Sequence, residues 1–461
     1  MRLLLLSTLV VALLPGCGHE FVSLPSSRPT LVIRGVAVLD APGAALKPGV
    51  WDVEVKEGRI HALLPTGQGQ GERVVEGAGA TLLPGLIDLH THCSGGSNPP
   101  WVSVLPDEKG NLTAFLYAGV TTVLDVGNLH PDIFTLRQQL REGRVLGPNL
   151  YAAGPLITTT GGHPLVLLDE LMPSLLRWWL APKLAAVVDA PEAARGVVEG
   201  IAVHKPDVLK IAVDELPAGA TRVRADVIAA ITAAGHAQGI RSVAHVGRSV
   251  DAVDAVRNGV DALVHGVYTE EISDEAVNVL AERKTPVALT ISVFDAVARF
   301  AASTPPALSP LEREVAPPAV AEGLYPVPES YRENIMSGWI KTVAAAHAAR
   351  RKNVQKMRAA GIPILVGTDS PNVGNFPGAA VHVEMQKMVE AGMTPGEVLK
   401  AATHDNARFL SGETADYGEV APGKRADLLL VEGDPTADIH QTERIRAVIK
   451  DGVVLERHLR R

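Results

Sequence analysis

Aromatic residues make up only 4% of this sequence, and cysteine is almost missing, with two in 461 residues. Few large flat side chains are available for a core. Ala, Val, Leu and Gly dominate instead, which suits short buried strands alternating with Ala-rich helices. Extended basic clusters are also missing: the formal net charge is -8 and Lys and Arg form no run longer than the three residues Arg350-Arg351-Lys352. Phosphate binding needs such clusters, so nucleic acid is excluded as a partner and a small molecule is expected. Low-complexity tracts and short-period repeats are absent. What is present, 46% hydrophobic and 20% charged residues, suffices for a large core and more than one structural unit.

No apolar run is long enough to span a bilayer as a mature helix. Arg2 followed by the short run Leu3 to Leu14 reads as an export signal over residues 1–16. Leu14-Pro15-Gly16-Cys17 resembles a bacterial lipobox. That resemblance implies cleavage before Cys17, a diacylglycerol on its thiol, and a lipoprotein held on a membrane of the bacterial cell envelope. A plain secretory signal or an uncleaved anchor is the alternative. Gly18, in place of an acidic residue, favours the outer membrane facing the periplasm. Residues 17–29 look like a tether. A lipidated Cys17 leaves Cys93 without a disulfide partner, so stability must come from the core and from metals. Oligomeric state is not written in the sequence.

From Thr30 the pattern is β, with Leu31-Val32-Ile33, Val53 to Val55 and a Gly58-Arg59-Ile60 turn. The same short-strand grammar returns at Asp427 to Val431, Ala447 to Ile449 and the Asp451-Gly452 turn. Two half-sheets at opposite ends of a chain pair only if the middle folds back, so residues 30–83 and 418–461 are expected to build one composite β-sandwich. Between them, over 84–417, apolar runs alternate with helical stretches. Candidate strands are Leu86–His90, Val120–Asp125, Leu150–Ile157, Asp207–Val213, Arg241–Val246, Asp261–His265, Pro286–Ile291 and Pro363–Thr368. Eight is the number that closes a (β/α)8 TIM barrel, an α/β fold. Helices are expected at Ala225–Gly235, Val250–Gly259, Ile272–Arg283 and Val343–Gly361. The long stretches Leu165–Leu184, with Trp178 and Trp179, and Phe300–Trp339 are expected as lids or pocket walls.

Chemistry-bearing residues fall at strand ends. His90 and His92 flank Thr91, and a strand's period of two points both imidazoles to one side. A lone His-x-His also occurs as satisfied polar groups in ordinary cores. Here it is joined by His245, His265 and Asp369 at the ends of later strands. Lys210 lies inside the apolar run Val208–Val213, where its ammonium is desolvated unless neutralised or paired. A buried lysine is readily deprotonated and can take up carbon dioxide as a carbamate, an anion able to bridge two cations. The competing reading is an ion pair with Asp214 or Glu215, or a lysine snorkelling out at the strand end.

Leu83-Pro84-Gly85-Leu86-Ile87-Asp88-Leu89-His90-Thr91-His92 resembles the first-strand signature of the amidohydrolase superfamily. Val366-Gly367-Thr368-Asp369-Ser370 resembles its eighth-strand motif, and Gly418–Asp427 its return to the sandwich. The nearest look is to the imidazolonepropionase-like branch with a carbamylated lysine. The resemblance implies two divalent metals, zinc first with manganese, cobalt or iron also suited, held by His90, His92 and Asp369 on one side and His245 and His265 on the other. It further implies a bridging carbamate on Lys210, a bridging hydroxide as nucleophile, and Asp369 as the group that moves the proton. The expected reaction is hydrolysis of an amide, cyclic amide or dipeptide bond, or of an ester, lactone or phosphoester. Alternatives are a one-metal deaminase or imidazolonepropionase-like enzyme, and a non-catalytic metal- or solute-binding envelope lipoprotein. Family dipeptidases carry a Tyr after the fifth-strand histidine, where this chain has Val246-Gly247-Arg248.

His163, in a Gly-rich loop, and Arg248 are the expected substrate-binding residues. Cys93 is expected to turn away from the pocket and pack in the core. His382 and Glu384 read either as a supporting pair behind the site or as helix decoration.

Overall fold

The structure is a computed structural model that describes residues 19–171, 173–302, 307–331 and 336–459. The export signal and Cys17 lie outside the described residues. The tether expected up to residue 29 is shorter than the sequence reading allowed. Phe21 is buried, and Val22–Ser23 pairs antiparallel with Glu456–Arg457, because an aromatic ring next to Tyr117 gains more from burial than from hydration.

The two ends of the chain meet in one nine-stranded sheet. The strand Leu31–Asp40 pairs with Trp51–Lys56 on one side and with Ala80–Pro84 on the other, and Leu428–Glu432 then joins Ala80–Pro84 to Ile445–Lys450. Strand alternation gives this sheet two cores. Leu82, Leu428, Leu430 and Ile449 pack among the sheet's own apolar residues, while Leu83, Leu429, Val431 and Val448 face the central core.

That central core is built on parallel strands. Leu86–Thr91, Val120–Asp125 and Asn149–Ala152 form a three-stranded sheet. Ala185–Val187, Leu156–Thr158, Val208–Ala212, Arg241–His245, Ala262–His265, Val287–Leu289 and Ile364–Val366 follow one another in a seven-stranded sheet. The single strand expected over Leu150–Ile157 is therefore two. Gly154, at φ +86°, turns the chain between them, and each half joins a different sheet.

A continuous closed ladder is not what the hydrogen bonds draw. The two sheets meet at two seams. At one, Thr91 bridges Ser370 and the Asp369 N–H donates to the His90 carbonyl at 2.7 Å. At the other, the Asp207 N–H donates to the Ala152 carbonyl at 2.9 Å while its carboxylate accepts the Ala152 N–H at 2.8 Å.

Buried Asn406 stitches the first seam from below. Its amide donates to the carbonyls of Ile87 and Val366, each at 2.8 Å, and its oxygen accepts the Val366 N–H at 3.2 Å. Removing it leaves buried backbone groups unpaired, at about 1–3 kcal/mol each. Asn406→Ala is accordingly expected to lower the denaturant midpoint by an amount worth about 3 kcal/mol. An unchanged midpoint would show that the seam needs no such stitch.

Helices Ala225–Ala237, Ser249–Arg257 and Asp274–Arg283 lie where the periodicity places them. The helix expected over Val343–Gly361 is broken at Ala346 into Ser337–Ala345 and His347–Ala359. No helix among the described residues is long and apolar enough to cross a membrane.

Candidate metal centre

Every strand that carries a predicted ligand ends at the same cavity, of about 620 Å³, lined by His90, His92, His163, Lys210, His245, His265 and Asp369. His90 is on the strand Leu86–Thr91 and His92 follows it; His245 and His265 terminate their own strands. Asp369 follows Ile364–Val366 across Gly367, where an added Cβ would lie 2.8 Å from the Cβ of His90. His265 and Asp369 hold left-handed backbone, at φ +72° and +63°. Such conformations cost of order 1–3 kcal/mol in non-glycine residues and persist where the surroundings over-determine them. Both strained positions aim a ligand atom inward.

Ligand atoms of His90, His265 and Asp369 lie within 4.8 Å of one another. The Asp369 Oδ1 is 3.0 Å from His92 Nε2 and 3.5 Å from His90 Nε2. Asn372 donates to the other Asp369 oxygen at 3.2 Å, so the carboxylate is oriented. His245 Nδ1 and His265 Nε2 point at each other, 2.9 Å apart.

The far nitrogens of two rings are fixed from behind. His92 Nδ1 meets the Gly127 carbonyl at 2.8 Å, which makes it the donor and leaves the Nε2 lone pair facing the Asp369 carboxylate. His265 Nδ1 meets the Thr290 hydroxyl at 2.7 Å. Two acceptor atoms held in contact need a cation between them, either a proton on Nε2 or a metal ion. Nδ1 of His90, Nε2 of His245 and Nδ1 of His163 are buried without a hydrogen-bond partner, although the His245 Nε2 is 3.0 Å from the Asp214 carboxylate in a poorly aligned contact. This donor set of imidazoles and carboxylate fits a divalent metal such as zinc.

Lys210 is in the cavity wall and almost wholly buried. Burial lowers its ammonium to about 7, against the pull of Asp369 and Asp214. Burial also holds His90 and His265 well below the ordinary imidazole range, with Lys210 and neighbouring imidazoles adding to the effect. For His92 burial works the same way, but the bond to Asp369 outweighs it and the ring is raised. The centre thus crowds five imidazoles and an amine around two carboxylates, Asp369 and Asp214, and a further anion would relieve it.

His163 lines the cavity as expected, 5.3 Å ring to ring from His245, and burial lowers it to about 4. Arg248 does not. Its guanidinium is 3.3 Å from Glu215 and 3.5 Å from Asp251, away from the cavity wall, because two carboxylates beside it satisfy the charge locally. Cys93 is buried, and its N–H donates to Asp125 at 2.7 Å, in keeping with packing rather than ligation. His382 and Glu384 are neither a pair nor helix decoration. Both are buried, and two positions apart on a helix they face different neighbours: His382 contacts Thr442 and the Ala118 carbonyl, whereas Glu384 accepts the N–H groups of Ile291 and Ser292 at 2.8 and 2.7 Å.

Sequence reading missed Tyr268, which donates to Asp214 at 3.0 Å behind His245, and it missed Thr290 and Asn372 as orienting groups. Single hydroxyls and amides carry no spacing signal that could have found them. The expected lid segments do contribute walls: Leu167 from one, and Val327, Tyr331, Met336 and Trp339 from the other.

The Amidohydrolase family model matches residues 81–455. The chain belongs to the amidohydrolase family. It is an enzyme, a hydrolase of that family. An ochratoxinase from Aspergillus niger is 25% identical over 391 residues, covering 80% of this chain and 73% of that one. An imidazolonepropionase from Chromobacterium violaceum is 44% identical over a stretch of 78 residues, 17% of this chain and 18% of its own. Among solved structures, a Xaa-Pro dipeptidase with methionine bound in its active site superposes with a TM-score of 0.74 at 22% identity, covering 93% of this chain and all, 100%, of that one. At that identity the likeness concerns the fold.

Proposed function

We propose that this amidohydrolase cleaves a carbon–nitrogen bond of a small amide, cyclic amide or dipeptide at a binuclear metal centre, and that its two parallel sheets act as one (β/α)8 barrel around it. The carrying observation is the convergence of His90, His92, His245, His265 and Asp369, with buried Lys210 beside them, on one cavity. His90, His92 and Asp369 would hold one cation and His245 and His265 the other. Lys210, once its amine has bonded to carbon dioxide and released a proton, would present two anionic oxygens between them. When bound, such cations polarise the scissile carbonyl and acidify the attacking water. Asp369, with one oxygen fixed by Asn372, would accept the water's proton and return it to the leaving nitrogen.

A one-metal reading draws support from the tight group of His90, His265 and Asp369. Metal content separates the two: two ions per chain are expected, with hydrolysis found in a screen of dipeptides, N-acyl amino acids, cyclic amides, lactones and phosphotriesters. A metal-replete protein inert toward all of them would overturn the proposed substrate classes.

Outside the candidate ligands the cavity lining is mostly apolar. Trp101, Phe294, Phe300, Tyr331 and Trp339 gather there in a chain that is 4% aromatic. A substrate with a bulky aromatic or branched group beside its amide would fill it. Phe300→Ala is expected to raise KM about 10-fold for an aromatic amide and hardly at all for an alanyl one, a size expected for lost apolar contact. An equal change for both substrates would remove the aromatic preference.

His265 offers a second check. Thr290→Val removes the group that orients its ring and is expected to weaken metal retention about 10- to 100-fold against a chelator, as loss of an outer partner does. Unchanged retention would mean that His265 binds no metal. We further propose that the enzyme is exported and carried on a bacterial envelope membrane by lipid on Cys17.

A further inference from the structure

The helix Ser174–Leu184 leaves Leu175 and Trp178 largely exposed, at 78% and 76%, with Trp179 partly so. Together with Pro173 and Leu176 they surround a shallow apolar hollow. The helix is not loosely held: Leu176, Leu180 and Leu184 pack with Leu129, Leu165 and Leu168. Its charges are Arg177 and Lys183, with no acidic residue, in a chain of net charge -8. Lys183 sits 4.2 Å above the Trp179 ring, and Arg177 meets Asp169 at 3.1 Å. Tryptophan flanked by basic side chains suits the headgroup layer of a bilayer, where a ring is half dehydrated and cations meet anionic lipid.

Its position in the fold narrows the partner further. His163 and Leu167, which open the same segment, line the catalytic cavity, and Leu129 follows the strand that ends at Asp125. The helix is therefore at the metal-centre end. So is the start of the described chain: the His19 N–H donates to Asp107 at 3.2 Å, Asp107 caps helix Glu108–Tyr117, and Glu108 is hydrogen-bonded to Ser94, two residues past His92. Cys17 is two residues before His19, a span of at most about 7 Å of backbone.

We infer that the catalytic end of the molecule faces a lipid bilayer, with Leu175, Trp178 and Trp179 seated among its headgroups and the apolar cavity opening toward the membrane surface. This rests on the envelope attachment proposed above. It gives the exposed helix an occupant, a bilayer containing anionic lipid, and gives an apolar substrate a route from the membrane.

The test uses the full-length protein with phosphatidylethanolamine–phosphatidylglycerol vesicles whose acyl chains are brominated at a shallow position. Tryptophan emission is expected to be quenched in the wild type and to lose that quenching in Trp178→Ser/Trp179→Ser. Leu175→Ser, which keeps every tryptophan, is expected to reduce it. Activity on a water-soluble substrate should be unchanged in both variants. Equal quenching in the double variant would overturn the inference, as would no quenching of protein that sediments with the vesicles. A double variant that merely dissociates a detergent-solubilised oligomer, with quenching absent throughout, would assign the patch to a second copy of the chain and overturn it too. Attachment is judged separately, by whether Cys17→Ser releases the protein from the membrane fraction of cells; if wild type is never found there, the anchor reading fails, while quenching by added vesicles still decides the docking of the helix.

Discussion

Lys210→Ala is expected to lose metal and activity together, and to recover part of both when a short carboxylate such as propionate is supplied. The strand Val208–Ala212 is buried along its whole length, and Lys210 points from it into a cavity that already holds five imidazoles. A charged amine there repels cations, whereas its carbamate attracts two. Removing it deletes the one side-chain anion that both metals would share, so metal affinity should fall by at least about 100-fold, the upper range for loss of an outer partner. The simple alternative is that Lys210 pairs with Asp214 or Asp369 as an ammonium, with those carboxylates as its stabilising neighbours. Alanine would then relieve a buried charge, metal content would hold or rise, and added carboxylate would do nothing. Rescue by a carboxylate is the readout that a merely structural lysine cannot imitate.

Asp369→Asn is expected to leave most of the bound metal in place and to lower kcat about 1000-fold, within the range for a positioned acid–base group. The amide oxygen still reaches the imidazoles of His90 and His92, but it cannot carry a proton between water and leaving group. Since Asn372 fixes the outer oxygen, the side chain should stay in position, and KM should move little. Loss of metal with an unchanged rate per bound metal would make Asp369 a ligand alone. Full activity would remove it from the chemistry.

Much of this site was legible because its residues sit where a strand stops. A histidine or carboxylate closing an apolar run has few ways to be buried and satisfied, and four such strand ends, at His90, His245, His265 and Asp369, point to a common mouth. The pairing of the terminal strands was legible from their repeated alternation, since Leu82 and Leu83 must face different cores.

What stayed hidden depends on contacts across the chain. The bend at Gly154 splits a uniformly apolar run between two sheets, and nothing in the run's hydrophobicity marks it. Arg248 was read as a substrate contact because the acids that capture it, Glu215 and Asp251, belong to a neighbouring loop and to its own helix turn. The sequence leaves Glu384 open between a supporting partner of His382 and helix decoration because the N–H groups it caps are 92 and 93 residues away. Burial lifts its carboxyl to about 7.

The most direct test is an anomalous-difference map from crystals of the metal-loaded enzyme. The account predicts two peaks, one between His90, His92 and Asp369 and one between His245 and His265, with carboxylate density continuous with the Lys210 Nζ between them. A single peak with a bare lysine amine would contradict the binuclear centre.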